Sequence, residues 1–166
     1  MLLVLAAAAG AGSSGIFSGD SDGDGGRGAA GPAREGRVVK VVDGDTIGVL
    51  VGSRREKVRY IGIDTPETHH PTKPVQCYGV KASAYNARLV GGERVRLVGD
   101  VEERDHFGRL LAYVYRVRDG LFVNAELARL GYARALTIAP DVRYARRFST
   151  LVREARDAGR GLWSAC

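Results

Sequence analysis

The 166-residue sequence lacks several features that mark other classes of protein. Its longest apolar run, Leu2–Gly12, is too short to cross a bilayer, and no cysteine near its end indicates a lipoprotein anchor. No segment repeats at a fixed period, which argues against a solenoid. With only two cysteines, Cys77 and Cys166, the chain can form at most one internal disulfide. The length of the chain is sufficient for one globular domain with a tail.

The N-terminal residues differ in composition from the rest of the chain. Residues 1–12 combine an alanine-rich apolar run with small residues around Ala9–Gly12, which is typical of a signal peptide, although the usual positive charge before the run is missing. Residues 13–36 are rich in Gly, Ser, Ala and Asp, which predicts a flexible linker. We therefore expect a secreted or cell-surface protein whose folded domain spans residues 37–166.

Positive charge is concentrated in the predicted domain. The formal net charge is +6, and the residues before Arg37 contain more Asp and Glu than Arg, so the excess lies after that position. A surplus of arginine favours a polyanionic partner, through electrostatic steering and the release of counterions from phosphates. Charge without a defined site would support only weak, unspecific binding.

Short β-branched runs separated by polar turns predict a strand-rich domain. The predicted strands are Arg37–Val42, Thr46–Val51, Val58–Ile63, Arg94–Val98 and Leu110–Val117, with a brief extended piece at Ala133–Leu136. Helical periodicity predicts helices over Val80–Leu89, over Val123–Leu130 and along a last apolar face of Tyr144, Phe148, Leu151, Val152 and Ala155. This order indicates an α+β, mainly β fold, a five-stranded OB-fold barrel with three helices.

Ionic side chains gather where the third predicted strand ends. The strand carries Arg59 and is followed by Asp64-Thr65-Pro66-Glu67, and the residue before a proline is held extended. A guanidinium and two carboxylates are the groups needed to hold a phosphodiester, bind a divalent cation and activate water. Taken alone, the stretch fits an ordinary turn or a helix N-cap at least as well.

Further motifs extend this pattern along the chain. They are Asp43-Gly44-Asp45-Thr46, Tyr78-Gly79-Val80-Lys81-Ala82-Ser83, Asp105-His106-Phe107-Gly108-Arg109 and Gly161-Leu162-Trp163-Ser164. Together with Arg59 and Asp64-Thr65-Pro66-Glu67, their order and spacing resemble the staphylococcal nuclease (thermonuclease) family. The resemblance covers about Arg37 to Ser164, which is nearly the whole predicted domain, and it implies an OB-fold nuclease.

The resemblance also assigns a metal site. By it, Asp45, Asp64 and the main-chain carbonyl of Thr65 would bind one Ca²⁺, since a hard cation prefers oxygen ligands. Asp43 would support these ligands without binding the ion itself. Each acid, taken singly, also fits an ordinary hairpin turn.

The catalytic residues follow from the same resemblance. Glu67 would act as general base or orient the attacking water, while Arg59 and Arg109 would hold the phosphate and stabilise the charge of the transition state. The expected enzyme is a Ca²⁺-dependent endonuclease that cuts the 5′ P–O bond of DNA and RNA, leaves 3′-phosphates and prefers single strands. It would act as a monomer without a small-molecule cofactor.

The predicted substrate pocket departs from the family pattern. His106 and Phe107 replace the lysine and tyrosine of the family's Asp-Lys-Tyr-Gly-Arg motif, and Leu136-Thr137-Ile138-Ala139 lies where the founding member has tyrosines. We expect His106, Phe107 and Lys73 to contact the substrate. The replacements should alter nucleotide affinity and base preference while leaving the chemistry intact.

Two alternatives stay open at this point. A non-catalytic OB-fold module of the same family would bind nucleic acid or protein, although such modules have usually lost acids or arginines that this chain retains. Cys77 and Cys166 would pair in an exported protein, closing a loop of about 90 residues. In a reducing cytosol they would instead be free thiols.

Overall fold

A computed structural model of the chain describes residues 31–68 and 74–166. The predicted signal peptide, most of the predicted linker and Lys73 lie outside the described residues. Within those two ranges, no helix is long and apolar enough to span a membrane.

A closed five-stranded barrel forms the body of the domain. The strands in chain order are β1 (Ala33–Val41), β2 (Thr46–Val51), β3 (Arg54–Tyr60), β4 (Ile63–Asp64), β5 (Arg94–Val98), β6 (Leu110–Arg116) and β7 (Arg134–Ala135). The barrel order is β1-β2-β3-β6-β5, with β5 pairing back onto β1. Its pairs are antiparallel except for the parallel pair β3–β6, while β4 and β7 form a separate two-stranded sheet. The predicted OB-type barrel is confirmed.

Helices occupy the connections and the C-terminus. The described residues contain α1 (Gly79–Val90), α2 (Val123–Arg129), α3 (Ala145–Asp157) and the short α4 (Leu162–Ala165). The first three correspond to the predicted helices. Val80 and Ala84 lie on the exposed side of α1, whereas Ala82, Asn86 and Leu89 are buried.

The first strand begins earlier than the sequence indicates. Residues Ala33–Arg37 pair in register with Val98–Arg94 of β5, so the C-terminal end of the predicted linker belongs to the barrel. The strand expected to begin at Arg37 therefore begins at Ala33. The composition of residues 33–36 resembles that of a linker. These residues form a strand because their backbone hydrogen-bonds to β5, which lies about 60 positions further along the chain and leaves no local signal.

The predicted strand Val58–Ile63 is also not continuous. β3 ends at Tyr60 and β4 begins at Ile63, with Gly62 between them at φ 82°. Glycine adopts positive φ at little cost, and a Cβ at this position would overlap the ring of Phe148 in α3. The bend turns Asp64 back toward Arg59, which a straight strand could not do.

The core fills the barrel and extends beneath the helices. Buried side chains alternate along the strands, as Ile47 and Val49 of β2 and Val58 and Tyr60 of β3 illustrate. Phe148 of α3 is only 1% exposed and joins the same cluster. The rigid barrel wall therefore carries the strand ends from which the polar site is built.

A disulfide joins Cys77, two residues before α1, to Cys166 at the C-terminus, with Cα atoms 6.0 Å apart. The bond links positions separated by 89 residues. Beside it, α4 is docked on the domain, because Leu162 is buried and its N–H donates to the Gly131 carbonyl at 2.8 Å.

Candidate active site

The turn between β1 and β2 places the first carboxylates. The Oδ1 of Asp43 accepts a hydrogen bond from the Asp45 N–H at 3.0 Å, and the N–H groups of Val42 and Asp43 donate to the Thr46 carbonyl. A Cβ on Gly44 would lie 2.6 Å from Oγ1 of Thr65, so glycine allows the turn to approach the exit of β4 closely. The turn thereby brings Asp45 against Thr65.

Asp45 is a buried and fully engaged carboxylate, with 5% of its surface exposed. Its Oδ2 accepts hydrogen bonds from the N–H of Thr65 at 2.7 Å and from the Thr65 hydroxyl at 3.0 Å. Its Oδ1 accepts the hydroxyl of Thr46 at 3.2 Å. These contacts fix the carboxylate before any ligand binds, as preorganised sites require.

Arg59 bridges the two predicted metal-binding acids. Its Nη1 lies 3.2 Å from Oδ2 of Asp45, and its Nη2 lies 2.9 Å from Oδ1 of Asp64. Nη1 also donates to the carbonyls of Tyr60 and Ile63, on either side of the Gly62 bend. The guanidinium therefore holds the bend and both acids in one arrangement.

Four carboxylates, those of Asp43, Asp45, Asp64 and Glu67, form what we call the acidic cluster. Burial, followed by the charge of Asp45, raises the pKa of Asp43 to about 6, and Glu67 adds to the shift. Burial and then Asp45 also raise the pKa of Asp64, although Arg59 opposes the effect. The negative charges of these acids repel one another, and a bound divalent cation would reduce that repulsion.

The donor chemistry of the cluster fits a hard cation. The predicted ligands are the carboxylates of Asp45 and Asp64 and the carbonyl of Thr65, all of them oxygen atoms, and half of the Asp64 side chain is open to solvent. Among the described residues, no group of three or more His, Cys, Asp or Glu side chains could hold a metal ion by itself. A cation at this position would keep part of its water shell.

A cleft of about 470 Å³ is lined by Arg59, the residue that also contacts Asp45 and Asp64 of the acidic cluster. The parallel pairing of β3 with β6 places Arg59 opposite Leu111, so that Arg59 and Arg109 line the same cleft. Arg109 is oriented by Asp105, whose Oδ2 lies 2.6 Å from Nε of Arg109. Burial alone would raise the pKa of Asp105, but the hydrogen bonds from Arg109 outweigh it and lower that pKa. Asp105 therefore remains a charged anchor for the guanidinium.

Comparison with known sequences agrees with this geometry. Residues 57–165 match the sequence profile described as "Staphylococcal nuclease homologue". The chain belongs to the staphylococcal nuclease family. It is 39% identical to the thermonuclease of Staphylococcus hyicus over 128 residues, covering 77% of this chain and 75% of that protein.

Two further relatives agree with the family assignment. Over 126 residues the chain is 41% identical to the thermonuclease of Staphylococcus intermedius, covering 76% of this chain and 74% of that protein. Over 127 residues it is 40% identical to endonuclease YncB of Bacillus subtilis (strain 168), covering 75% of this chain and 59% of that protein. With the family match, these relatives identify the chain as an endonuclease of the thermonuclease type.

The predicted substrate-contacting residues of this nuclease occupy different surroundings. His106 lines the cleft, whereas Phe107 is 71% exposed, and its ring is tilted by 42° against the His106 ring, with centroids 3.7 Å apart. The Arg109 guanidinium lies 5.3 Å from the centre of the Phe107 ring. Phe107 therefore contacts the arginine of the site directly, and Lys73 lies outside the described residues.

Sequence reasoning missed Asn86, a buried residue of α1 that supports the acidic turn. Its Oδ1 accepts the hydroxyl of Tyr60 at 3.0 Å, and its Nδ2 donates to the Asp43 carbonyl at 3.0 Å. A signal existed, because Asn86 is a polar side chain at helical spacing from the buried Ala82 and Leu89.

Sequence reasoning also missed part of the cleft wall. Asp141 is buried, and its Oδ1 accepts the N–H groups of Val101 and Glu102 at 2.9 Å, which fixes one side of the cleft. Arg104 lines the cleft as well, but it is engaged by Glu56 through two hydrogen bonds of 2.9 and 3.0 Å. No local pattern predicts these contacts, since each joins residues about 40 or more positions apart.

Proposed function

We propose that the chain is a Ca²⁺-dependent nuclease that hydrolyses phosphodiester bonds in both DNA and RNA, cutting the 5′ P–O bond and leaving 3′-phosphate ends. The observation that carries the proposal is the placement of Arg59, which bridges Asp45 and Asp64 while lining the same cleft as Arg109. The proposed cation ligands and the proposed phosphate-binding arginines would therefore act on the same phosphate.

The cation would be held by Asp45, Asp64 and the carbonyl of Thr65. When bound, it would neutralise charge on the phosphate and make the phosphorus more electrophilic. The hydrogen bonds of Thr65 and Thr46 to Asp45 orient this carboxylate beforehand, so little reorganisation is needed on binding.

Glu67 would accept a proton from the attacking water. Its carboxylate accepts the Thr68 N–H at 2.9 Å, and its charge acts on both Asp43 and Asp64, which places it at the acidic cluster. A general base must lie within hydrogen-bonding reach of the water whose proton it takes. The effect of the Glu67 charge on Asp43 and Asp64 supports this role.

Arg59 and Arg109 would bind the non-bridging phosphate oxygens. Arginine suits this role because its planar guanidinium donates two parallel hydrogen bonds to phosphate. Negative charge grows on the phosphate in the transition state, so the two arginines would stabilise the transition state more than the ground state. Asp105 keeps Arg109 aimed at the cleft by pairing with its Nε.

The cleft favours a flexible single strand of either sugar type. A volume of about 470 Å³ suits one small polar ligand, and a single strand can place one nucleotide there more easily than a stiff duplex can. Leu111, Leu136 and Ile138 contribute apolar wall that would contact a base or sugar without discriminating a 2′-hydroxyl. We propose a monomer, since both arginines and all the acids come from one chain.

Export of the protein is part of the proposal. The disulfide between Cys77 and Cys166 is of the kind that persists in oxidising compartments, and the apolar run at residues 1–12 is typical of a signal peptide. We therefore propose a secreted or cell-surface nuclease. Detection of the protein in culture medium or on the cell surface, against a cytosolic marker, tests this part.

The activity is tested by incubating the full-length chain with labelled single-stranded DNA or RNA in Ca²⁺, in Mg²⁺ or in chelator. We expect cleavage of both polymers with Ca²⁺ and little with chelator, and product ends that a polymerase extends only after phosphatase treatment. Undiminished cleavage in chelator would contradict the metal assignment. Binding without cleavage under every condition would favour a non-catalytic module.

A further inference from the structure

Gln76 holds the main chain of Glu67 from both sides. The Glu67 N–H donates to the side-chain Oε1 of Gln76 at 2.9 Å, and the Gln76 N–H donates to the Glu67 carbonyl at 2.9 Å. The two residues are nine positions apart, so the two hydrogen bonds join the segment before α1 to the segment that carries Glu67, the proposed general base. Gln76 thereby restricts both peptide groups that flank the Cα of Glu67.

The residues after Gln76 are packed against the same segment. The Gly79 N–H donates to the Gln76 carbonyl at 3.0 Å, and a Cβ on Gly79 would lie 2.9 Å from the carbonyl oxygen of Glu67. The start of α1 and the Glu67 main chain are therefore in close contact. Displacement of one would move the other.

Burial does little to keep Gln76 in place. Residues Pro74–Cys77 are all exposed, and hydrogen bonds between exposed groups compete with water. The covalent restraint on this segment is the disulfide from Cys77 to Cys166. Its far end is attached to α4, which is anchored independently by the burial of Leu162 and by the hydrogen bond of Leu162 to Gly131.

We infer that Gln76 is a positioning residue for Glu67 and that the Cys77–Cys166 disulfide keeps it in position, so that the oxidation state of this bond sets the turnover rate. The inference rests on the proposed role of Glu67. Reduction by a dithiol breaks the S–S bond: the two cysteines gain two electrons and two protons and become thiols, while the dithiol becomes a disulfide. The bond is open to such a reductant because both cysteines are exposed.

The first test is kinetic and uses the oxidised, full-length chain with Ca²⁺ and single-stranded DNA. A misplacement of about 1 Å at an active site can cost roughly 100-fold, so we expect Gln76→Ala to lower kcat about tenfold with KM changed less than about twofold. Gln76→Glu keeps an oxygen acceptor for the Glu67 N–H and should restore most of the loss. Val75→Ala, at the exposed neighbouring residue, is the matched control and should retain wild-type kcat.

The second test changes only the oxidation state. Dithiothreitol should lower the kcat of the wild-type chain about as much as Gln76→Ala does, and reoxidation should restore it. In the Gln76→Ala variant, dithiothreitol should lower kcat by less than a further factor of about two, because the substitution and the reduction act through the same contact. Circular dichroism verifies that the reduced chain is folded. If it is not, the bond acts on the whole fold and its proposed action through Gln76 is overturned, while the oxidised Gln76→Ala and Gln76→Glu variants decide the positioning role of Gln76 alone.

The outcomes separate this inference from the proposed function. Wild-type kcat in Gln76→Ala, or effects of Gln76→Ala and reduction that multiply independently, would overturn the inference. An inactive Glu67→Gln variant, combined with full activity of Gln76→Ala and of the reduced chain, would overturn the positioning role alone. Full activity of Glu67→Gln would overturn both the base assignment and the role of Gln76.

Discussion

Replacing Asn86 tests how much the buried contact beneath the acidic turn contributes to stability. Asn86 and Tyr60 are almost completely buried, and the Tyr60 hydroxyl donates to Asn86 at 3.0 Å. Burial, which the hydrogen bond to Asn86 only partly offsets, raises the pKa of Tyr60 far above its usual value, so the hydroxyl stays protonated and remains a donor. Asn86→Ala removes the acceptor of that hydroxyl and the donor to the Asp43 carbonyl.

The expected magnitude follows from the groups left without partners. A buried polar group without a partner costs about 1–3 kcal/mol, and a second, half-buried bond adds about 1 kcal/mol, so we expect Asn86→Ala to lower the free energy of unfolding by about 3 kcal/mol. Tyr60→Phe leaves only the Asn86 oxygen unsatisfied and should cost about 1.5 kcal/mol. The double variant loses the shared bond once, which predicts a coupling energy of about 1.5 kcal/mol.

Urea unfolding of the wild-type chain, the two single variants and the double variant measures this coupling. Activity provides a second reading, because Asn86→Ala should also loosen Asp43 and lower kcat, whereas Tyr60→Phe leaves the bond to Asp43 in place. A coupling energy below about 0.3 kcal/mol would refute the reasoning, since independent sites add within about that error.

Three other predictions concern the site and the disulfide. Arg109→Ala should lower kcat about 10³-fold with the fold retained, since it removes a group that acts on transition-state charge; near-normal turnover would speak for a binding module. The Cys77→Ser, Cys166→Ser double variant should lose up to about 4–5 kcal/mol of unfolding free energy, because the bond closes an 89-residue separation; a loss below about 1 kcal/mol in urea would contradict the chain-entropy estimate. The pKa of Asp105 is lowered in the fold, so the stability it contributes is present above the ordinary aspartate pKa and is lost as pH falls through the lowered value. Asp105→Asn should flatten this acid limb of a stability-versus-pH curve, and identical acid limbs would refute the pairing.

Local signals in the sequence were sufficient for much of the barrel. The strands Thr46–Val51 and Arg94–Val98 have the predicted bounds, because polar turns and β-branched residues mark both ends. The early start of β1 and the bend at Gly62 were not predicted. Both depend on partners far along the chain, β5 in one instance and Phe148 in the other.

In the candidate site, too, some residues were predicted from local sequence and others were not. The residue types and their spacing indicated Asp45, Arg59 and Asp64, and the structure places both carboxylates within ion-pair distance of the Arg59 guanidinium. The supporting residues Asn86 and Gln76 were missed, because each acts through a bond to main-chain atoms of a residue outside its own element. Helical spacing marks Asn86 as a buried polar side chain, but a main-chain contact imposes no pattern that would identify its partner.

The pairing of Ala33–Arg37 with β5 determines where a shortened version of this protein can begin. A chain that starts at Arg37 would lose nearly all of the pairing between β1 and β5, so β5 would keep only β6 as a neighbour and would expose a row of unpaired N–H and C=O groups on its other edge. Such an open edge, next to the buried Val95 and Leu97, is a template for pairing with another chain. We therefore expect the shortened chain to aggregate through β5 even if its catalytic groups are all present. Residues 33–36 thus protect the domain against self-association by covering the edge of β5.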